Sequence, residues 1–116
     1  WLLQGAGKRI YLAGDSGYGP HFAALGEAEP PVELAIFNLG GYEPSGRDAG
    51  MHMAPAQVVR AFLDLGAKRA LMVHWGTYPL GEESVEMRAA RARVAASEGI
   101  APGRILFLVV GEALRL

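Results

Sequence analysis

Two side chains in this sequence combine a reactive type with a suitable position. Asp15 follows the apolar run Ile10-Tyr11-Leu12-Ala13 and opens a glycine loop, Gly14 to Pro20. His74 ends the run Ala70-Leu71-Met72-Val73 and is followed by Trp75-Gly76-Thr77. Each run reads as a buried strand. In open α/β sheets ligands gather beyond the carboxyl ends of the strands. A carboxylate and an imidazole presented at one such rim suit a hard or borderline divalent metal. The chain has no cysteine, so a metal here must sit on histidine or carboxylate ligands, and disulfides and thiolate zinc sites are excluded. Taken singly, each residue also has a plain structural reading. Asp after Gly often bonds its own backbone in a turn, and a histidine at a strand end is often only hydrogen-bonded in place.

The elements that must position these residues follow from periodicity. Arg9 to Ala13 reads as a strand. His21 to Ala28 reads as a short helix with Phe22, Leu25 and Ala24 on its apolar face, ended by Pro30-Pro31. Val32 to Phe37 is a second strand, apolar enough to be buried on both faces. Asn38 to Met53, rich in glycine and without a period, is a long loop of the kind that more often serves function. Pro55 opens a helix whose apolar face is Val58, Val59, Phe62, Leu63 and Leu65, and Gly66 stops it. Arg69 to Val73 is a third strand. Glu82 to Glu98 is a second long helix, with Glu82, Glu83 and Glu86 at its start and Arg88, Arg91 and Arg93 further on. Gly99 caps it, and Arg104 to Val110 is a fourth strand. Strands alternating with helices imply an α/β fold with a largely parallel sheet, and no linker divides residues 1–116.

The bulk properties narrow the function classes. The chain has 116 residues, one domain's worth, with a formal charge of −1. That balance gives no basis for nucleic acid or an anionic membrane as partner. No apolar run approaches the ~20 residues of a transmembrane helix. Gly5-Ala6-Gly7-Lys8 lacks the first glycine, the hydroxyl residue and the preceding strand of a phosphate loop, and reads as a solvated turn. Gly14-Asp15-Ser16-Gly17 has a parallel in the nucleophile segment of trypsin-like proteases. Those are all-β, and their triad His and Asp precede the Ser, whereas nothing upstream of Ser16 but Asp15 itself is His or Asp.

Four segments in order make a more specific pattern: Gly14-Asp15-Ser16-Gly17-Tyr18, Leu39-Gly40-Gly41-Tyr42-Glu43-Pro44, His52 ahead of Pro55, and His74-Trp75-Gly76-Thr77. Together they resemble the C-terminal half of the metallo-β-lactamase superfamily, most of all the branch of N-acyl-phosphatidylethanolamine-hydrolysing phospholipase D. That branch shows Gly-Asp-Thr-Gly-Tyr, Ala-Tyr-Glu-Pro, a His before a helix-opening Pro, and His-Trp-Gly-Thr. The resemblance implies a single partial domain over residues 1–116: the C-terminal half of an αββα sandwich, without the half that carries the family's His-x-His-x-Asp-His cluster. It implies that Asp15 bridges two divalent metal ions, zinc with iron or manganese as alternatives, and that His74 is a ligand of one of them. His52 then stands near the pocket outside the ligand set, and Tyr42 and Tyr18 border the substrate site.

The implied activity is ester or phosphodiester hydrolysis by a metal-bridging hydroxide in the complete protein, on a small-molecule or lipid-like substrate. The expected location is cytoplasmic. The chain by itself is expected to be inactive for want of ligands, and to associate with the missing half or with itself. Departures are Ser16 for Thr, Ser45 where the branch has Arg, and Ala56-Gln57 for an acidic pair. They bear on phospholipid specificity. The rival reading is a non-catalytic α/β interaction or scaffold domain.

Overall fold

The computed structural model describes residues 1–29, 31–42, 50–75, 77–78, 85–97 and 99–116. Five strands and three helices follow one another as β1 (Leu2–Gly5), β2 (Lys8–Leu12), α1 (His21–Ala28), β3 (Leu34–Asn38), α2 (Pro55–Asp64), β4 (Arg69–Val73), α3 (Val85–Ser97) and β5 (Ile105–Phe107). The strands lie side by side in sequence order. β1 and β2 are antiparallel, and every later pair is parallel.

β1 is an element that sequence reading did not anticipate. Leu2-Leu3-Gln4-Gly5 is short and mostly exposed, so it has no alternating pattern to find. Its pairing is set by the turn instead. Gly5 faces Lys8, and Ala6 and Gly7 between them both have positive φ, 48° and 74°, as a two-residue turn matched to strand twist requires. The turn at Gly5 to Lys8 is therefore as expected, but a strand does precede it.

Because β2 to β5 run parallel in sequence order, each helix is a crossover in the same direction. The right-handed rule then puts all three on one face. Accordingly α1 packs on α2 and α2 on α3. The core lies between them and the sheet: Tyr11, Ala35, Phe37, Ala70 and Met72 from the strands meet Phe22, Val58, Ala61, Phe62, Leu65 and Ala92 from the helices and their ends. Pro55 takes the first helical position of α2, and the Gln57 side chain accepts a bond from the Ala54 N–H at 2.9 Å. Gly66, at φ +66°, ends that helix. Leu63, expected on its buried face, is 52 % exposed. It lies a further 100° round the helix from Phe62, beyond the apolar stripe. Ala24 of α1 is likewise exposed, while Phe22 is fully buried. The expected start of α3 at Glu82 to Ser84 lies outside the described residues. β5 stops at Phe107 rather than Val110, and Val109 and Val110 are exposed.

The opposite sheet face carries Leu3, Ile10, Leu12, Ile36, Leu71, Val73 and Leu106, which strand register places in adjoining rows. No described helix covers them. Ile10, Leu12, Ile36, Leu71 and Leu106 are only half-buried, and Leu3 and Val73 are exposed.

Candidate metal centre

Asp15 and His74 leave adjacent parts of the rim as the strand-end argument requires. The β2–β3 ladder runs one residue past β2, with the Ala13 N–H bonded to the Ile36 carbonyl at 3.0 Å. Gly14 then turns to φ +62°, and the Ser16 N–H donates to the Gly14 carbonyl at 3.0 Å. Asp15 thus sits at the apex of a tight turn, its side chain 65 % exposed. At the end of β4, His74 takes φ +62°. That left-handed conformation is uncommon for a residue with a Cβ, and such strain gathers at functional sites. The turn is secured behind it: the Trp75 indole N–H donates to the Met72 carbonyl at 3.0 Å, and the indole packs edge-on against Phe107.

His52 joins them. Its Nε2 is 3.6 Å from Asp15 Oδ1, and His74 Nε2 is 4.0 Å from the same oxygen. The two imidazole rings lie 5.6 Å apart, 21° from parallel. One donor atom from each of Asp15, His52 and His74 lies within 4.8 Å of the others. The three come from three separate connections, after β2, before α2 and after β4. Two glycine contacts hold those connections together. A Cβ on Gly17 would stand 2.0 Å from the Gly50 carbonyl oxygen, so the Asp15 loop and the segment leading to His52 touch backbone to backbone. A Cβ on Gly41, at φ +69°, would stand 3.3 Å from His52 Nδ1, so the imidazole rests on that glycine. These contacts lay beyond sequence reading. The stretch 38–53 has no period, and nothing in its spacing says where His52 or its supporting glycines fall.

The two tyrosines are placed by other contacts. The Tyr18 hydroxyl donates to Asp64 at 2.5 Å, and its ring stacks on Phe22. That bond raises the Tyr18 pKa and holds the Asp64 carboxyl below its usual range, with Arg60 adding to the second effect. Tyr18 therefore ties its loop to the end of α2 and does not join the Asp15 cluster. Tyr42 lines a cavity of about 520 Å³ with Ala54, Pro55, Met87, Ala90 and Arg91, between the connection after β3 and helices α2 and α3. A cavity of about 310 Å³ opens at His74, Trp75, Thr77 and Tyr78. A larger one, about 590 Å³, lies between the end of α3 and β5. It is apart from this chemistry, and the one charged group among the described residues of its wall, Arg93, is engaged over the Phe107 ring. Glu43 and Gly76 of the sequence motifs lie outside the described residues.

Residues 1–75 match the family pattern of the β-lactamase superfamily domain. The chain belongs to that superfamily. It is 34 % identical over 82 residues to an N-acyl-phosphatidylethanolamine-hydrolyzing phospholipase D of Caenorhabditis elegans, covering 70 % of this chain and 23 % of that protein. It is 32 % identical over 115 residues to a metal-dependent hydrolase of Thermus thermophilus, covering 99 % of this chain and 44 % of the relative. A metallo-β-lactamase-fold protein of Bacillus subtilis superposes with a TM-score of 0.63 at 15 % identity, over 92 % of this chain and 39 % of the other. The superfamily, its phospholipase D-like branch and the metallo-β-lactamase fold are thus those the four motifs resembled. The chain spans less than half the length of each of these relatives. Of these relatives, one is named as a phospholipase D that hydrolyses N-acyl-phosphatidylethanolamine and one as a metal-dependent hydrolase.

Proposed function

We propose that this chain is the metal-site-bearing C-terminal part of a divalent-metal hydrolase that cleaves an ester or phosphodiester bond, with Asp15 and His74 as metal ligands. The observation that carries the reading is the convergence of Asp15, His52 and His74 within 4.8 Å at the carboxyl end of the parallel strands. The donor set fits the group. It is one carboxylate and two imidazoles without thiolate, the chemistry of zinc, iron or manganese sites. Three donors among the described residues are too few for a two-metal centre, and in this reading the remaining ligands come from the rest of the complete protein.

A bound divalent ion supplies Lewis acidity, lowering the pKa of water towards ~7 and countering the negative charge that develops on the substrate. The chain's own residues set the geometry. Asp15, at the apex of its turn, is free to face two partners. The backbone at His74 is held in its left-handed conformation and secured by the Trp75 anchor, so the imidazole starts from a fixed point on the rim. His52, only 10 % exposed, forms the floor beneath Asp15. The cavity at His74 gives a small or lipid-like ester a place beside the ligands, with Tyr78 and Trp75 as apolar wall.

The half-covered aliphatic face of the sheet supports the partial-domain reading. In an αββα sandwich such a face packs against a second sheet, and rows of half-exposed Leu and Ile are costly to leave in water. We assign that face to the other half of the sandwich. Hydrolysis of an activated phosphodiester by a longer form carrying the upstream histidine cluster tests the function. Metal-dependent turnover abolished by Asp15→Ala is expected, and near-normal turnover in that variant would remove the assignment.

A further inference from the structure

Arg88 is a charged side chain in a place suited to an apolar one. It lies on α3 with Ala89 and Ala92, both buried, and is itself only 2 % exposed. Two of its guanidinium nitrogens, Nε and Nη2, are sealed from solvent without a hydrogen-bond partner. The N–H bonds of these two nitrogens point the same way. They form the side-on fork that grips two oxygens of one carboxylate or phosphate. Arg104 shows the same fork satisfied, with Nε donating to the Lys68 carbonyl at 2.9 Å and Nη2 to the Ala67 carbonyl at 2.7 Å. Arg88 has no such acceptors. The one acid on α3, Glu86, is exposed and stands about 160° away round the helix. A buried charge is strongly unfavourable until it is paired, so the fork calls for an anion from outside its own helix.

The cavity of about 520 Å³ between α2 and α3 gives that anion a way in. Met87, Arg91 and Ala95 of α3 are on its wall. Round the helix, Arg88 is about 60° from Arg91 and about 20° from Ala95, so it borders the stripe that faces the cavity. Its guanidinium lies just behind the wall, and a rotamer change at this long side chain brings the fork to the cavity. Ala54 and Ala56, at the amino end of α2, are on the wall too, and that end of a helix favours negative charge. The rest of the wall is apolar apart from Tyr42, whose ring can cover an organic body. Asp15, His52 and His74 take no part in it.

We propose that Arg88 and this cavity form an oxyanion-binding site, separate from the metal centre, for a small organic phosphate or carboxylate. The acidic head sits on the Nε–Nη2 fork, and the apolar or aromatic body lies against Met87, Ala90 and Tyr42. The site does not depend on the functional reading and stands whether or not Asp15 and His74 hold metal.

The test is ligand binding by the chelator-treated chain in a buffer free of phosphate and carboxylate. Phenyl phosphate, benzoate and neutral benzyl alcohol are each added at matched ionic strength. Thermal unfolding by circular dichroism and isothermal titration calorimetry are the readouts. At least one of the two acids should raise the melting temperature by about 4–8 °C once it exceeds its Kd roughly fivefold. The tighter of the two identifies the head group, and benzyl alcohol should have no effect. Arg88→Met should melt at or above the wild-type temperature without ligand, because an unpaired buried charge is gone, and should lose the response to the acids. Arg88→Lys keeps the charge without the fork and should bind at least tenfold more weakly. Lys8→Met removes the same charge from an exposed position far from the cavity wall and should respond as wild type does. No shift with either acid at millimolar concentration overturns the inference. So does an Arg88→Met chain that responds as wild type, or one that melts well below wild type with and without the acids, since Arg88 is then a satisfied structural group.

Discussion

Replacing Gly17 by Ala puts one methyl group where two backbones meet. The added Cβ would lie 2.0 Å from the Gly50 carbonyl oxygen and 3.1 Å from its carbon. Real Cβ contacts essentially never fall below 3.0 Å, so the loops must part by at least 3.0 − 2.0 = 1.0 Å. Neither side yields cheaply, because the obstructing atom is backbone. Forced overpacking of this kind costs about 1–3 kcal/mol, and in a domain of this size that corresponds to roughly 4–20 °C in melting temperature. The same displacement separates Asp15 from His52, which stand 3.6 Å apart, so metal binding should weaken along with stability. The assay is thermal unfolding by circular dichroism, beside Gly5→Ala, where a Cβ meets nothing within 4 Å. A melting temperature for Gly17→Ala within about 2 °C of the Gly5→Ala control would refute the claim that this contact locks the two loops together.

Further outcomes follow from other contacts. Gly26→Ala in α1 would bring a Cβ to 2.4 Å from the Asp64 carbonyl and 3.0 Å from Leu65; it should destabilise by about 1–3 kcal/mol in urea denaturation. Phe62 is fully buried beneath the Arg104 guanidinium, 4.7 Å from its ring centre, and Phe62→Ala should cost about 3–5 kcal/mol in the same measurement. The Asp64 carboxyl is held below the usual carboxylate range, first by the Tyr18 hydroxyl. A depressed folded pKa stabilises the native state above the unfolded value, and that contribution is lost as pH falls through the folded one. Urea midpoints at about pH 6 and about pH 3 should therefore differ less in Asp64→Asn than in wild type; equal differences would show that the bond contributes nothing to acid stability. The half-covered face of Ile10, Leu12, Ile36, Leu71 and Leu106 should bind an apolar-surface dye in the 116-residue chain and lose that binding in a longer form carrying the other half of the sandwich.

Much of the fold was legible because its signals are local. α1 has the bounds expected from its apolar spacing and the prolines after it, and α2 begins at Pro55 and ends before Gly66 as helix-end chemistry requires. β4 has its expected span, and β2 differs by one residue at each end. What was not legible depends on tertiary contact. β1 has no alternation and owes its place to the Ala6-Gly7 turn. Leu63 is apolar yet faces out, because composition does not fix where the buried stripe ends. The site divides in the same way. Asp15 and His74 share a rim because each follows a parallel strand, which is written in the pattern. Among the described residues, the Gly17–Gly50 and Gly41 contacts hold His52 beside them, and these join residues that are not neighbours in the chain. The resemblance places Tyr18 at the border of the substrate site, and the bond of its hydroxyl to Asp64 is a tertiary contact that no local pattern shows.

The central claim is that Asp15 and His74 are ligands in a divalent-metal hydrolase, and metal content measured with turnover on a longer form carrying the upstream histidines tests it most directly. The expected result is roughly two ions and metal-dependent phosphodiester hydrolysis in the wild-type protein, with less bound metal and no turnover in Asp15→Ala and His74→Ala. Full metal occupancy and near-normal turnover in both variants would contradict it.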